Sequence, residues 1–325
     1  MAGSAEIHPV ETETDRPFWS VMIPTYEPDP SYLAEALESV LAEDPGAQEM
    51  QVQLVDDHSE DFHPREFLGE RLTGRVEWHR QTEHSGIGGN WNTCLRLARG
   101  VWVHLLHQDD LVRAGFYQRL REAIRGCDEA GAIVTQLDFI DRHGIARRSA
   151  FPEKMAGGVL EDWVEHVFVR LRIQGSAIVV RRATYELLGG FDESYAYTLD
   201  WNMWQRLAFA FPILYEPRAR ACWREHDRAA TRRLMISGQN MREVERCIAE
   251  GERILPPDIA ADTARRARLV YTRFAVDNAI KIARRTGHLA AAMRQLGAAR
   301  RLSSTTEVAR YVWSRVTGIG QDPSE

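Results

Sequence analysis

Between residues 19 and 126, short strand-like runs alternate with segments of helical periodicity. Trp19–Ile23 is an apolar run stopped by Pro24. Tyr32–Leu41 places Leu33, Leu37, Val40 and Leu41 on one helical face, with Pro30 and Ser31 as its start signal. Val52–Val55 follows as a second strand, closed by Asp56-Asp57-His58-Ser59, and Val76–His79 reads as a third. Asn90–Arg99 is helical and stopped by Gly100; Val101–Leu106 is a fourth strand, closed by His107-Gln108-Asp109-Asp110; Ala114–Gly126 is again helical. A β-α rhythm of this kind predicts a parallel sheet with helices on its faces.

Beyond residue 126 the pattern is mixed. Ala132–Ile140 and Ala146–Ala150, around Asp141-Arg142-His143-Gly144, predict a hairpin. Ser176–Arg181 is a further strand, Thr184–Gly189 and Tyr197–Phe209 are helical, and Ile213–Tyr215 and Ala219–Trp223 are two short strands. From about Ser237 the chain is nearly all helix, broken at Pro256-Pro257, Gly287 and Ser303-Ser304. A chain of 325 residues with 44% hydrophobic and 27% charged residues has ordinary globular composition, which excludes a collagen-like, coiled-coil or disordered chain. The acidic N-terminus lacks an apolar signal-peptide core, and no run approaches the ~18 apolar residues of a membrane span. None of the four cysteines forms a C-x-x-C pair. These features predict a cytoplasmic, reduced protein. The net charge of −6 gives no reason to expect nucleic acid as a partner.

In an open parallel sheet, ligands bind beyond the carboxyl ends of the strands. Three such ends carry Pro24-Thr25-Tyr26, Asp56-Asp57 and Asp109-Asp110. Two carboxylate pairs converging on one edge repel unless a cation or hydroxyl groups stand between them. Oxygen-rich sites of this kind suit Mg²⁺ or Mn²⁺, often bridging to a substrate diphosphate. Either Asp-Asp pair also reads as turn and helix-cap chemistry.

The segment Val21–Leu41 (V-M-I-P-T-Y-E-P-D-P-x-Y-L-x-x-A-L-x-S-V-L) resembles the opening of family 2 glycosyltransferases, inverting enzymes with a GT-A fold. The resemblance continues in order through Leu54–Ser59, Gly86–Asn92 with Ala98-Arg99-Gly100, Leu105–Asp110, Gly189-Gly190-Phe191-Asp192, and Asp200-Trp201-x-x-Trp204-x-Arg206-Leu207. It covers about Ser20 to His226. It implies an α/β GT-A fold, a Rossmann-like mixed sheet flanked by helices, with a helical C-terminal extension. The implied organisation is a disordered lead-in at 1–17, a catalytic domain at 18–235 and a helical region at 236–325.

By that resemblance, Pro24, Thr25 and Tyr26 hold the nucleotide of a nucleoside-diphosphate sugar. Asp57, with Asp56 beside it, binds the base edge, and Gly86 and Asn90 follow the sugar nucleotide. Gln108, Asp109 and Asp110 occupy the place of the D-x-D motif, which grips the ribose and a divalent metal, Mg²⁺ or Mn²⁺. His107 replaces the first Asp of that motif, so the metal role rests on Asp109, with Asp110 adjacent. His226 matches a histidine on the metal or diphosphate; the residue type alone reads equally as packing. Asp200 matches the general base, with Leu199 in place of the usual preceding Glu; a plain helix N-cap is its other reading. Gly175 and Ser176 lie where relatives form the acceptor side, and Trp201 is the stacking candidate among the nine tryptophans. The acceptor is a sugar, a lipid-linked intermediate or a small molecule.

The alternatives divide on chemistry. A non-catalytic nucleotide-sugar-binding scaffold on the same fold would account for His107 and Leu199. A nucleotidyltransferase would need a Gly-rich, basic triphosphate loop near the first strand, which is lacking. Ser85–Asn90 is no dinucleotide fingerprint, because its glycines follow the third strand. Residues 261–325 carry a net charge of +7, against −13 for the first 260. That basic region reads as a solvated helix face, as a dock for the acidic part of the chain, or, with Tyr311, Val312, Trp313 and Val316, as a peripheral contact with an anionic membrane. Failure to bind anionic liposomes at low salt would remove the last reading.

Overall fold

The computed structural model describes residues 4–10, 16–72, 74–226 and 231–317. In chain order the elements begin with β1 (Trp19–Thr25), α1 (Pro30–Leu41), β2 (Met50–Asp56), α2 (Pro64–Leu72), β3 (Glu77–Arg80), α3 (Gly86–Leu97), β4 (Trp102–Leu105), β5 (Leu111–Val112) and α4 (Phe116–Ile124). They continue with β6 (Ala132–Ile140), β7 (Ala146–Ser149), β8 (Gly158–Val159), α5 (Trp163–Val169), a 3-10 turn at Gly175–Ala177, β9 (Ile178–Arg181), α6 (Arg182–Leu188), α7 (Leu199–Ala210) and β10 (Ile213–Arg224). The chain closes with α8 (Thr231–Ser237), α9 (Gln239–Ile254), α10 (Pro257–Thr286), α11 (Leu289–Leu302) and α12 (Thr305–Thr317).

The strands form one mixed sheet in the order β3-β2-β1-β4-β9-β6-β10-β5. β3, β2, β1 and β4 run parallel, as the β-α rhythm predicts. β9 runs antiparallel to both β4 and β6, and β6 runs parallel to β10. β1 and β2 are buried along their whole length, the signature of strands covered on both faces. Their register pairs Thr25 with Asp56, which brings the polar carboxyl ends to one edge. α1 starts where its sequence signal lies: the Asp29 carboxylate accepts a hydrogen bond from Ser31 N–H at 3.0 Å, with Pro30 in the first turn.

Three details depart from the sequence expectations. α3 begins at Gly86 rather than Asn90, because a carboxylate from a distant strand caps it, as described below. Gly100 is more than a helix stop: a Cβ there would lie 2.4 Å from Ser20 N, so only glycine lets the chain pass β1. The two short strands expected at 213–215 and 219–223 are the single strand β10, with a register shift between Glu216 and Arg220 around Pro217. The expected lead-in is also corrected for residues 4–10. Ile7 is buried, Gly190 N–H donates to Ala5 C=O at 2.7 Å, and Arg182 donates to His8 C=O. Residues 1–3 and 11–15 of that lead-in lie outside the described residues.

The Cα positions divide the chain into two compact units. The first comprises 1–161, 173–194 and 206–227 and holds the whole sheet; the second comprises 162–172, 195–205 and 228–325. The second therefore includes two insertions from the middle of the chain besides the C-terminal helices expected from residue 236. Its long helix α10 ends at Gly287, which takes the left-handed conformation of a C-cap (φ 67°). α10 and α11 pack through Ala279, Ile282, Ala291 and Ala292. Much of the basic charge here is paired within the unit: Arg266 with Glu165, Arg268 with Glu252, Arg301 with Glu245 and Arg315 with Asp277. Lys281, Arg284 and Arg285 join Arg315, Asp277 and Ile280 around a groove of about 410 Å³. No helix among the described residues is long and apolar enough to cross a membrane.

Candidate active site

The carboxyl edge of β1, β2 and β4 is a hydrogen-bonded frame. Asp56 and Asp57 close β2, and both are buried. Asp56 accepts from Thr25 Oγ1 at 3.2 Å and from Ser59 N–H and Oγ at 3.0 and 2.6 Å. Asp57 accepts from Ser85 N–H, Ser85 Oγ and Gln81 Nε2 on Oδ1 at 2.7–2.8 Å, and from Gly86 N–H on Oδ2 at 2.9 Å. This is an N-cap supplied from 29 residues away, and it places a negative charge on the helix N-terminus where the dipole favours it. His84 Nδ1 lies 2.9 Å from Asp57 Oδ2, and its ring packs against Tyr26 with centroids 4.3 Å apart. Asn90 donates to Thr25 C=O and Val55 C=O, tying α3 to both strand ends. The sequence expectations thus gather Pro24, Thr25, Tyr26, Asp56, Asp57, Gly86 and Asn90 at one edge. Of those side chains, only Tyr26 is exposed, at 46%.

The β4 end divides its residues between support and exposure. The Gln108 amide pairs with the Tyr26 backbone, accepting from N–H at 2.9 Å and donating to C=O at 3.3 Å. Asp110 is fully buried and accepts from Arg224 N–H at 2.9 Å and from Ser176 Oγ. The His107 ring stacks on Trp91, centroids 5.1 Å apart, with Nδ1 3.4 Å from Asp110. Asp109 keeps its side chain 25% exposed; Oδ2 meets His226 Nε2 at 2.7 Å, and no hydrogen bond to Oδ1 occurs among the described residues. His107, Asp109 and Asp110 offer ligand atoms within 4.8 Å of one another. β10 delivers the other half of this corner. Arg224, whose side chain is buried, donates to Asp109 C=O and to Glu35 and lies over the Tyr32 ring at 4.4 Å. Arg224, Glu35, Tyr32, His84 and Gln81 were not among the expected site residues. The only hint was the position of Arg224 two residues before His226.

Electrostatics follow from these partners. Burial pushes the Asp110 carboxyl above its usual range, opposed by its bonds from His107 and Ser176. The hydrogen bond to Asp109 raises the His226 imidazole, against partial burial. One strand turn earlier, buried His104 is pushed down to about 4, chiefly by desolvation. Its Nε2 faces Ser176 C=O at 3.0 Å, which can only accept, so Nε2 carries the hydrogen and Nδ1 accepts from Tyr117 O–H at 2.9 Å. An unfolded imidazole takes up a proton near pH 6.5 that the folded one refuses until about 4. This contribution to stability is fully present above 6.5 and is lost as pH falls through that window, by ~2 kcal/mol at pH 4.5. Urea unfolding at pH 7 and 4.5 should show this loss in the wild type and about 2 kcal/mol less of it in His104→Gln.

Three residues expected on the acceptor side are committed elsewhere. Ser176 donates to Asp110, and Gly175 packs against the His107 ring, where a Cβ would lie 2.7 Å from Nε2. Trp201, in the second unit, is fully buried, donates from Nε1 to Val167 C=O at 2.6 Å and packs on Tyr271. A ring enclosed in this way has no face left for a sugar, so Trp201 is a core residue. Asp200 stands in the first turn of α7, one residue inside its start and so not at the N-cap, in the same unit; its carboxylate accepts from Trp201 N–H at 2.8 Å.

Comparison with known proteins bears on the fold and the family. A Methanocaldococcus jannaschii protein, named as an uncharacterized glycosyltransferase, is 21% identical over 211 residues, 63% of this chain and 70% of the relative. The crystal structure of S. aureus TarS 1-349 in complex with UDP-GlcNAc superposes with a TM-score of 0.61 at 15% identity, covering 92% of each chain. The mannosyltransferase PcManGT from Pyrobaculum calidifontis, in complex with GDP-Man and Mn²⁺, gives 0.56 at 19% identity, covering 98% of this chain and 84% of that one. These likenesses identify the fold as GT-A, a mixed sheet flanked by helices with a helical C-terminal region. The sequence profile of glycosyl transferase family 2 matches residues 20–182, from the start of β1 to the beginning of α6. With that profile over half its length and with this fold, the chain belongs to glycosyl transferase family 2.

Proposed function

We propose that the protein transfers a hexose from a nucleoside-diphosphate sugar to an acceptor hydroxyl with inversion at the anomeric carbon. Asp109 carries this reading. Among the paired acids at the strand ends it alone keeps a part-exposed carboxylate, while Asp56, Asp57 and Asp110 are buried and hydrogen-bonded within the chain.

The donor set at this corner fits a divalent cation. A part-exposed carboxylate and an imidazole nitrogen lie 2.7 Å apart, with His107 and Asp110 behind them. A mixed oxygen and nitrogen set is softer than the all-oxygen set Mg²⁺ favours, which supports Mn²⁺. The complex of PcManGT with GDP-Man and Mn²⁺ is consistent with that choice. Asp109 and His226 would hold the ion, which when bound neutralises charge on the leaving diphosphate. Tyr26, exposed and packed on His84, offers an aromatic face to the base, with Asp57 orienting His84. Asp200 accepts the proton of the attacking acceptor hydroxyl while the hydroxyl oxygen bonds to the anomeric carbon and the bond to the diphosphate breaks. The acceptor is a hydroxyl-bearing sugar, lipid-linked intermediate or small molecule. Lys281, Arg284 and Arg285 around their groove support a peripheral contact with an anionic membrane, on the cytoplasmic side.

The test is release of nucleoside diphosphate from UDP-, GDP- and dTDP-sugars, with and without Mn²⁺, over a panel of sugar acceptors. Mn²⁺-dependent release with one donor class is expected. Binding of a donor without turnover under every condition would favour the non-catalytic scaffold reading, which the replacements at His107 and Leu199 keep in view.

A further inference from the structure

The segment 195–205, which carries Asp200, is gripped by one face of α9 within the second unit. Glu243, Cys247 and Glu250 follow a spacing of four and three residues, so they share a helical face. Glu243 is buried, and its Oε2 accepts three consecutive backbone N–H groups, from Ala196, Tyr197 and Thr198, at 2.9, 2.6 and 3.1 Å. Its Oε1 accepts from Gln239 Nε2 at 2.7 Å, one turn earlier, which fixes the rotation of the carboxylate. Glu250 accepts from Tyr195 O–H at 2.6 Å and from Asn202 Nδ2 at 3.3 Å. Cys247 Sγ lies 3.3 Å from Gln205 Oε1. The grip therefore spans both sides of Asp200, and its strongest contact is the charged nest two to four residues ahead of it.

We propose that Glu243 is a positioning residue for Asp200: it fixes the backbone turn from which α7 starts and so sets where the Asp200 carboxylate stands. The proposal rests on the reading of Asp200 as general base. Three N–H groups converging on one carboxylate oxygen form a charge-assisted anchor, roughly twice as strong per bond as neutral ones. The next three peptide units then have little freedom. Positioning at this precision matters, because a 1 Å displacement of a reacting group costs on the order of 10²-fold in rate. This gives the C-terminal helical region, outside the span of the family profile, a part in the chemistry.

The experiment is a double-mutant cycle on the full-length protein, with kcat, donor KM and Tm measured for wild type, Glu243→Gln, Asp200→Asn and the double variant. Glu243→Gln keeps side-chain size and one acceptor oxygen, so the fold should persist. The expected result is a kcat loss of roughly 10- to 100-fold with donor KM unchanged. No further loss should follow when the change is made on the Asp200→Asn background. Glu243→Asp, which keeps the charge but withdraws it by one methylene, should fall between wild type and Gln; it serves as the second variant if Gln proves unstable. Wild-type kcat in Glu243→Gln, or an equal fold loss in both backgrounds, overturns the proposal. If Asp200→Asn itself keeps full kcat, the general-base reading fails instead, and the two failures are told apart.

Discussion

Asp200→Asn turns over its donor roughly 10²- to 10⁴-fold more slowly than wild type, with donor affinity unchanged. The substitution is isosteric. Asn retains an oxygen that can accept the Trp201 N–H bond in the first turn of α7, so this local bond and the fold survive. What is lost is the capacity to take a proton from the attacking hydroxyl. A base role therefore predicts a fall in kcat with no fall in Tm. A purely structural role predicts the reverse: Asn accepts that bond as Asp does, so Asp200→Asn would leave kcat intact while Asp200→Ala would lower stability by ~1 kcal/mol. Steady-state kinetics and thermal unfolding of the two variants decide between these roles, and a fully active Asp200→Asn would end the general-base assignment.

Asp109→Ala loses Mn²⁺-dependent nucleotide binding and at least ~10² in kcat, the scale of several kcal/mol of charge stabilisation. Thermal shift with UDP, GDP and dTDP reports it directly. A nucleotide at 100 times its Kd stabilises the wild type by about 2.7 kcal/mol, and the Mn²⁺-dependent part of that should vanish in the variant. The fold should hold, because Asp109 is part-exposed and its side-chain partner is the part-exposed His226. Asp110→Ala supplies the contrast. It strips the carboxylate from Arg224 N–H and Ser176 Oγ in a fully buried place, at ~1–3 kcal/mol for each donor left unsatisfied. Its main effect should be a lower Tm. If Asp109→Ala binds nucleotide with Mn²⁺ as the wild type does, the metal site lies elsewhere.

The two adjacent acids at the end of β4 illustrate how far sequence reasoning reaches. The pair Asp109-Asp110 is visible as a pair, and its place beyond a strand end marks it as a site candidate. Which carboxylate stays accessible depends on Ser176 and on Arg224, which bind Asp110 from 66 and 114 residues later. The same holds for Asp56 and Asp57: the cap that Asp57 places on α3 joins residues 29 apart and shifts the start of that helix by a turn. Trp201 shows the opposite error. Its helical spacing beside Asp200 is legible, but only the packing of Tyr271 and the bond to Val167 reveal that no face is open.

By itself the sequence determined the β-α rhythm, the carboxyl-edge clustering of polar residues, and the C-terminal helices broken at Pro256, Gly287 and Ser303. These are set by hydrophobic periodicity and by the local conformational limits of proline and glycine, which act over a few residues. Tertiary structure decided the antiparallel insertion of β9, the merging of two expected strands into β10, and the division of the acids into buried supports and one part-exposed ligand candidate. It also decided that α9 grips the segment bearing Asp200. The reason is common to all four. Burial and hydrogen-bond saturation depend on partners tens of residues away, and a carboxylate's chemistry depends on whether those partners have already taken its lone pairs.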